Sequence, residues 1–93
     1  MKHVIVCAAN RHDGIVIAGV RHWDSIMRSL FADPEIEKNH PMNVHWEQGF
    51  LDNKYQFLTR TEAWKVAEAA GQIVRRCGGD EADGGTLYSE NLY

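Results

Sequence analysis

Cysteine and proline are scarce, each occurring twice in 93 residues. Cys7 and Cys77 lie far apart and outside any C-x-x-C spacing, so neither a disulfide framework nor a cysteine-built zinc site is indicated, and both read as buried free thiols. Long apolar runs are missing as well. None approaches the roughly 20 residues that a membrane-spanning helix requires. The stretch after Lys2 in MKHVIVCAAN is too short for the apolar region of a signal peptide. There is no excess of positive charge: the net charge is −3 and the pI about 5.9. That balance argues against broad electrostatic binding to duplex nucleic acid, while leaving room for a local basic pocket that holds a small anion. Nucleophile motifs and a phosphate-cradling glycine loop are absent, and we expect no cofactor and no metal.

What is present fits one α+β domain over residues 1–93, with 44% hydrophobic and 25% charged residues. The firmest local signal is FLTRTEAWKVAEAAGQI, residues 57–73. Thr59 followed by Glu62 is a capping box, Leu58 and Ala63 are placed for a hydrophobic staple, and Ala63, Trp64, Ala67 and Ala70 form one apolar stripe. Gly71 stands where a left-handed C-cap is wanted, which predicts a helix over Arg60–Ala70.

Upstream, His3–Ala9 and Ile15–Val20 are apolar runs separated by the polar set Asn10–Gly14. They predict a β-hairpin whose loop is slightly longer than the tightest two-residue turn. Because both runs are almost continuously apolar, strands covered on both faces are expected, one of them by a subunit partner if not by the chain itself. Asp24 is a candidate N-cap for a helix with Ile26, Met27, Leu30 and Phe31 as its buried stripe, and Asp33-Pro34 should end it. Glu35–Asn43 reads as a surface loop. Val44–Leu51 and Tyr55–Leu58, around Asp52-Asn53-Lys54, predict a second hairpin. Gln72–Arg76 reads as a short strand or irregular return. Residues 77–86 are a flexible Gly/Asp-rich segment by composition, followed by a tail, Leu87–Tyr93, apolar enough to dock in cis or in trans. The order is ββαββα, an antiparallel sheet with helices on one face.

Candidate chemistry gathers at predicted element ends. Arg21-His22-Trp23-Asp24 combines a permanent cation, an imidazole, an aromatic plate and a carboxylate. Arginine forks bind phosphate at two points and tryptophan can stack on a base. Arg60 opens a helix, where a cation opposes the dipole, and this marks it as a binder of an anion or of a carboxylate such as Asp24 or Glu90. Trp46 is a second stacking candidate and Gln48 a reader of polar edges. Arg11 and His12 sit in the predicted hairpin tip, most simply a solvated turn. Glu62 reads as a cap, and Arg75-Arg76 beside Gly78-Gly79 lack phosphate-loop spacing. His40 and His45 read as surface residues, with a metal site shared with His22 as the sharper alternative.

The segments Gly19–Asp24, Glu47–Phe50, Phe57–Ala63 with Ala70–Gln72, and Leu87–Tyr93 resemble, in the same order, a family of small proteins of tailed bacteriophages. The resemblance carries no activity. It implies a phage product made in the cytoplasm of the bacterial host, and such small proteins are often counter-defence factors that sequester nucleotide immune signals between identical subunits. The expectation is a homo-oligomer that binds a nucleotide-type small molecule without cleaving it, through Arg11, Arg21, His22, Trp23, Trp46, Gln48 and Arg60, with no duplex nucleic acid and no membrane as partner. The alternatives are a phosphoesterase or nucleotide hydrolase using His22 as base with Asp24 or Glu62, and an inhibitor that binds one host protein.

Overall fold

The computed structural model describes residues 2–93. Strands β1 (Ile5–His12) and β2 (Ile15–Gly19) pair antiparallel with His12 opposite Ile15, so their connection is Asp13-Gly14 alone. Both residues have positive φ, 45° and 83°, which is the left-handed pair of a tight two-residue hairpin turn. The longer loop expected from the sequence is therefore corrected. Asp-Gly can adopt this turn unaided, and Asn10, Arg11 and His12 are drawn into the strand.

The second hairpin consists of β3 (Glu47–Asp52) and β4 (Phe57–Thr59). The buried Asp52 organises its turn: Oδ1 accepts from the amides of Lys54 and Gln56 at 2.9 and 2.8 Å, and Oδ2 meets His3 Nε2 at 2.7 Å. Burial alone would raise the Asp52 pKa, but these donors hold it below its ordinary value. β1 also pairs antiparallel with β3, with an irregularity between Ile5 and Cys7, and this joins both hairpins into one sheet of order β2-β1-β3-β4.

Register sorts the side chains. Ala8, Phe50 and Leu58 are cross-strand neighbours on one face, as are Asn10, Ile17 and Gln48. The helices pack on that face. The other carries Arg11, Val16, Ala18 and Phe57. There Arg11 lies over the Phe57 ring at 4.2 Å and donates to Glu47. Val6 and Val16 remain 56% and 38% exposed, so the chain by itself does not cover both faces as its apolar strands led us to expect.

Helix α1 (Ser25–Ser29) is capped by Asp24, whose Oδ1 accepts from the Met27 amide at 2.9 Å. It continues as a 3-10 turn, Leu30–Ala32. Of its expected stripe only Met27 is fully buried, and Ile26 is 62% exposed. A second correction follows. The segment expected to be a loop begins with helix α2 (Pro34–Asn39), because Asp33-Pro34 both stops one helix and starts the next, with Asp33 Oδ1 accepting from the Glu35 amide and proline at N1. Helix α3 (Arg60–Ala69) has the anticipated capping box at Thr59 and Glu62. It closes with Gln72 N–H to Ala67 O and Gly71 N–H to Glu68 O, with Gly71 at φ 73°.

Two apolar clusters result. Ile5, Ala8, Phe50, Ala63, Trp64, Ala67 and Leu87 form one. Ile17, Met27 and Trp46 form the other, with Ile15, Trp23 and Phe31 against it. Residues 72–76 return irregularly, anchored by Gln72, whose amide donates to Ile5 O and accepts from Ile5 N, both at 2.8 Å. Residues 77–86 turn around Asp80, which is 2% exposed. Asp80 takes two bonds from Arg76, one from the Cys77 amide and one from Asn91, and the Arg76 guanidinium holds its carboxyl well below the usual carboxylate range. The tail docks in cis. It enters at the fully buried Leu87, coils as α4 (Ser89–Leu92), and is tied by Asn91, whose carbonyl accepts from Val74 N and whose amide donates to Arg75 O.

Gly49 sits where β3 meets β4 with no room for a side chain. A Cβ there would lie 2.2 Å from the Leu58 carbonyl oxygen and 2.5 Å from the Phe57 ring. Because a backbone atom blocks it, Gly49→Ala is expected to cost about 3 kcal/mol, the upper end for overpacking. Urea denaturation checks this, and an unchanged midpoint would refute it.

Candidate functional site

The seven candidate residues separate into three places. Arg21, His22, Gln48 and Arg60 come together around the docked tail on the helix-bearing face. Trp23 and Trp46 lie in the neighbouring aromatic cluster. Arg11 is on the opposite face of the sheet, paired with Glu47.

The division between His22 and Trp23 has a backbone cause. Trp23 adopts φ 58°, a conformation that costs a bulky residue about 1 kcal/mol or more. The turn that contains it is over-determined: Asp24 Oδ2 accepts from the Val20 and Arg21 amides at 2.8 and 3.3 Å, and the Trp23 amide points at Met27 Sδ at 3.1 Å. Trp23 then stacks edge-on with Trp46 at 5.4 Å and near Phe31 at 5.8 Å. Trp46 is only 5% exposed and its indole N–H donates to Pro41 O, so in this arrangement it serves the core. His12 and His40 border the same cluster, with their Nδ1 atoms 3.0 Å apart. Among the described residues, no group of three or more His, Cys, Asp or Glu side chains is arranged to hold a metal.

Around the tail the partners are specific. Arg21 donates to Ser89 Oγ at 3.1 Å and to the main-chain oxygen of Tyr93 at 2.9 Å, and its guanidinium lies 5.0 Å from the Tyr93 ring centre. The Tyr93 hydroxyl donates to Val20 O. Arg60 donates to Leu87 O at 2.8 Å and to Gln48 Oε1 at 2.6 Å, and packs 4.8 Å from the Tyr88 ring centre. His22 Nε2 is 2.7 Å from Gly49 O, which makes Nε2 the protonated nitrogen of the neutral ring, and the imidazole meets Phe50 edge-on at 5.1 Å. Arg60 lies over the other side of the neighbourhood, 5.9 Å from the same Phe50 ring.

Electrostatically the group is cationic. Burial pushes the His22 pKa down and the Arg60 charge pushes it further, against the Gly49 carbonyl and Glu90. Burial also lowers the Arg60 pKa, opposed by Tyr88 and Glu90. Among the described residues neither Arg21 nor Arg60 has a side-chain carboxylate within 4.0 Å: the ion pairs are His3–Asp52, Arg11–Glu47, Arg76–Asp80 and Arg76–Glu81. The base-and-orienter pair of His22 and Asp24 is not made, since the His22 Nε2–H faces Gly49 O while Asp24 is occupied with amides. Met27 N–H leads the contacts that depress the Asp24 pKa. Glu62 likewise accepts from the Thr59 amide, as a cap. Burial raises the pKa of the half-buried Cys7, which disfavours its thiolate.

Sequence reasoning marked the tail as a docking element but assigned no role to Tyr88, Ser89 and Tyr93. The available signal was the density of tyrosine and leucine in LYSENLY.

Two surface grooves adjoin this region without coinciding with it. One of about 330 Å³ is lined by Ile5, Val6, Gln72, Val74, Leu92 and Tyr93, with no charged side chain. The other, about 270 Å³, lies between Trp64 and the Arg76–Asp80 pair. No helix among the described residues is long and apolar enough to cross a membrane.

A family model described as Phage T4 y16D protein matches residues 4–93. No curated protein and no solved structure matches the chain.

Two outcomes follow from the geometry. His22 should titrate below 6.5 in the folded protein, read by imidazole NMR shifts against pH. Because the unfolded chain binds that proton more readily, the His22 contribution is full above about pH 6.5 and is lost as pH falls through the lowered folded value. His22→Gln should flatten stability over that window, and an unaltered acid slope would contradict it. Arg60→Ala removes the bracket on Leu87 and should speed amide exchange over 87–93 by roughly tenfold or more, a hydrogen bond to a charged group being worth about 1.5–3 kcal/mol. Unchanged protection there would show that Asn91 alone holds the tail.

Proposed function

The chain belongs to the phage T4 y16D protein family, and from that premise we propose that it is a non-catalytic counter-defence protein. It captures a nucleotide-type signal, a cyclic oligonucleotide or an ADP-ribose derivative, in the cytoplasm of the bacterial host. The observation that carries this is the pair of half-buried guanidinium groups, Arg21 and Arg60. Their hydrogen-bond partners include no side-chain carboxylate: they are Ser89 Oγ, the main-chain oxygens of Tyr93 and Leu87, and Gln48 Oε1. Arginine forks in such a setting favour a phosphate over an uncharged acceptor.

In this reading phosphates replace tail oxygens on Arg21 and Arg60. His22, neutral and held by Gly49 O, offers its other ring nitrogen as an acceptor. Gln48 is exposed, and its amide NH2 group has no partner among the described residues, which leaves it able to read a polar edge. Base stacking passes from Trp23 and Trp46 to Tyr88 and Tyr93, whose rings already lie against the two guanidiniums. Capture without cleavage is supported by the commitment of both His22 and Asp24 to main-chain partners.

Native mass spectrometry of the protein mixed with cyclic oligonucleotides and ADP-ribose derivatives tests the proposal. An intact ligand mass should be retained, and Arg21→Ala and Arg60→Ala should each weaken retention at least tenfold, about 1.4 kcal/mol. Arg60→Lys should lose most of it too, since an ammonium does not reproduce the fork. Conversion of the ligand, or a bare protein across the whole panel, would overturn it.

A further inference from the structure

Strand β2 is an edge of the sheet and pairs only with β1. The tight Asp13-Gly14 turn makes His12 and Ile15 the hydrogen-bonded pair that closes the hairpin. By the antiparallel alternation, Ile15, Ile17 and Gly19 aim their N–H and C=O groups at β1, while Val16 and Ala18 aim theirs outward. The outward groups of Val16 and Ala18 have no partner among the described residues. Val20, the next outward residue, is different. Its N–H goes to Asp24 Oδ2 at 2.8 Å and its carbonyl accepts the Tyr93 hydroxyl. The edge is closed at Val20 and open at Val16 and Ala18.

Exposed edges are ordinarily blunted by charge, proline or a bulge. The segment Ile15–Gly19 reads IVIAG, with no charge and no proline, and it pairs with β1 without a register shift. We propose that β2 pairs antiparallel with β2 of a second copy of this chain, about a two-fold axis at Ile17, so that two sheets join into one of twice the width.

The occupant is set by the symmetry of the strand's own sequence. Antiparallel pairing centred on Ile17 puts Val16 opposite Ala18 of the second copy, and the open N–H and C=O groups of both residues then satisfy one another. Ile15 falls opposite Gly19, and Gly14 opposite Val20. Beyond the strand ends, such pairing carries the Asp13-Gly14 turn of each copy toward the end of the other's β2, where Arg21 lies. Asp13 is exposed and without a partner among the described residues, and Arg21 has no side-chain carboxylate near it. The charges therefore complement each other twice, once at each end of the paired strands. Apolar area matches as well: Val16, 38% exposed, and Ala18 share the uncovered sheet face and would lie beside their counterparts. The pairing of the Val16 and Ala18 backbones does not depend on the anion-binding proposal; only the contact of Asp13 with Arg21 draws on a residue of that site.

Sedimentation velocity across about two decades of micromolar concentration tests it, with circular dichroism confirming the fold of each variant. The wild-type protein should dimerise. Ala18→Pro removes one outward N–H without touching a bond to β1 and should weaken the dimer at least tenfold. Val16→Lys, on the exposed face, should do the same by placing cations beside the axis. Asp13→Asn keeps a residue tolerant of positive φ, and should weaken the dimer and reduce its salt sensitivity. A monomer at every concentration overturns the proposal, as does a dimer that folded Ala18→Pro and Val16→Lys variants leave unchanged.

Discussion

The bracket between Arg60 and Leu87 is the constraint on which the rest of this structure rests. The Arg60 carbonyl accepts the Leu87 amide at 3.0 Å, and the Arg60 guanidinium returns a bond to the Leu87 carbonyl at 2.8 Å. Leu87 is thereby driven fully into the cluster of Phe50, Ala8 and Trp64, which the sheet and α3 leave open on their own. Everything after Leu87 follows from that entry point. Asn91 is carried to the Asp80 turn and Tyr93 to the end of β2, so that one tail closes the core, anchors residues 74–80 and caps a sheet edge.

This arrangement also explains a local conflict in the sequence. A guanidinium at the start of α3 opposes the helix dipole. Among the described residues no carboxylate side chain lies within ion-pair distance of it, Glu90 acting on it only at longer range. The chain answers with the Leu87 carbonyl and the Gln48 side-chain amide, and Arg21 is met by Ser89 Oγ and the main-chain oxygen of Tyr93. Among the described residues, neither cation is held by a side-chain carboxylate. A molecule selected for stability alone would more readily have placed an aspartate there, as it does at Arg76. That contrast within one chain is the physical ground for reading the first pair as an anion site and the second as scaffold.

Much of the local structure was legible. Thr59, Glu62, Ala63 and Gly71 marked α3 to within a residue, and the two hairpins and their ββαββα order stood out from alternation and turn residues. The errors share a cause. Asp33-Pro34 is equally a stop and a cap followed by N1 proline, and the second helix buries no residue fully, so no apolar stripe announces it. Asn10-Arg11-His12 looked like loop because it is polar. Its burial depends on β3 and Met27 arriving beside it. Within the candidate site, Arg21, His22, Gln48 and Arg60 were recognisable as residues, whereas Trp23 and Arg11 were separated from them by a left-handed backbone and by strand alternation respectively.

By itself the sequence determined what is decided within about four residues: capping, helix stripes, turn positions and the alternation of the strands. These depend on backbone geometry and on neighbours that the chain cannot avoid. Only the tertiary structure decided that both hairpins share one sheet, that the tail folds back onto its own chain, and that the arginines meet tail oxygens instead of side-chain carboxylates. Those outcomes rest on contacts 27, 67 and 72 residues apart, Arg60 to Leu87, Ile5 to Gln72 and Arg21 to Tyr93. Closing such distances carries an entropy cost that no local pattern records, and many weak contacts must form together to offset it.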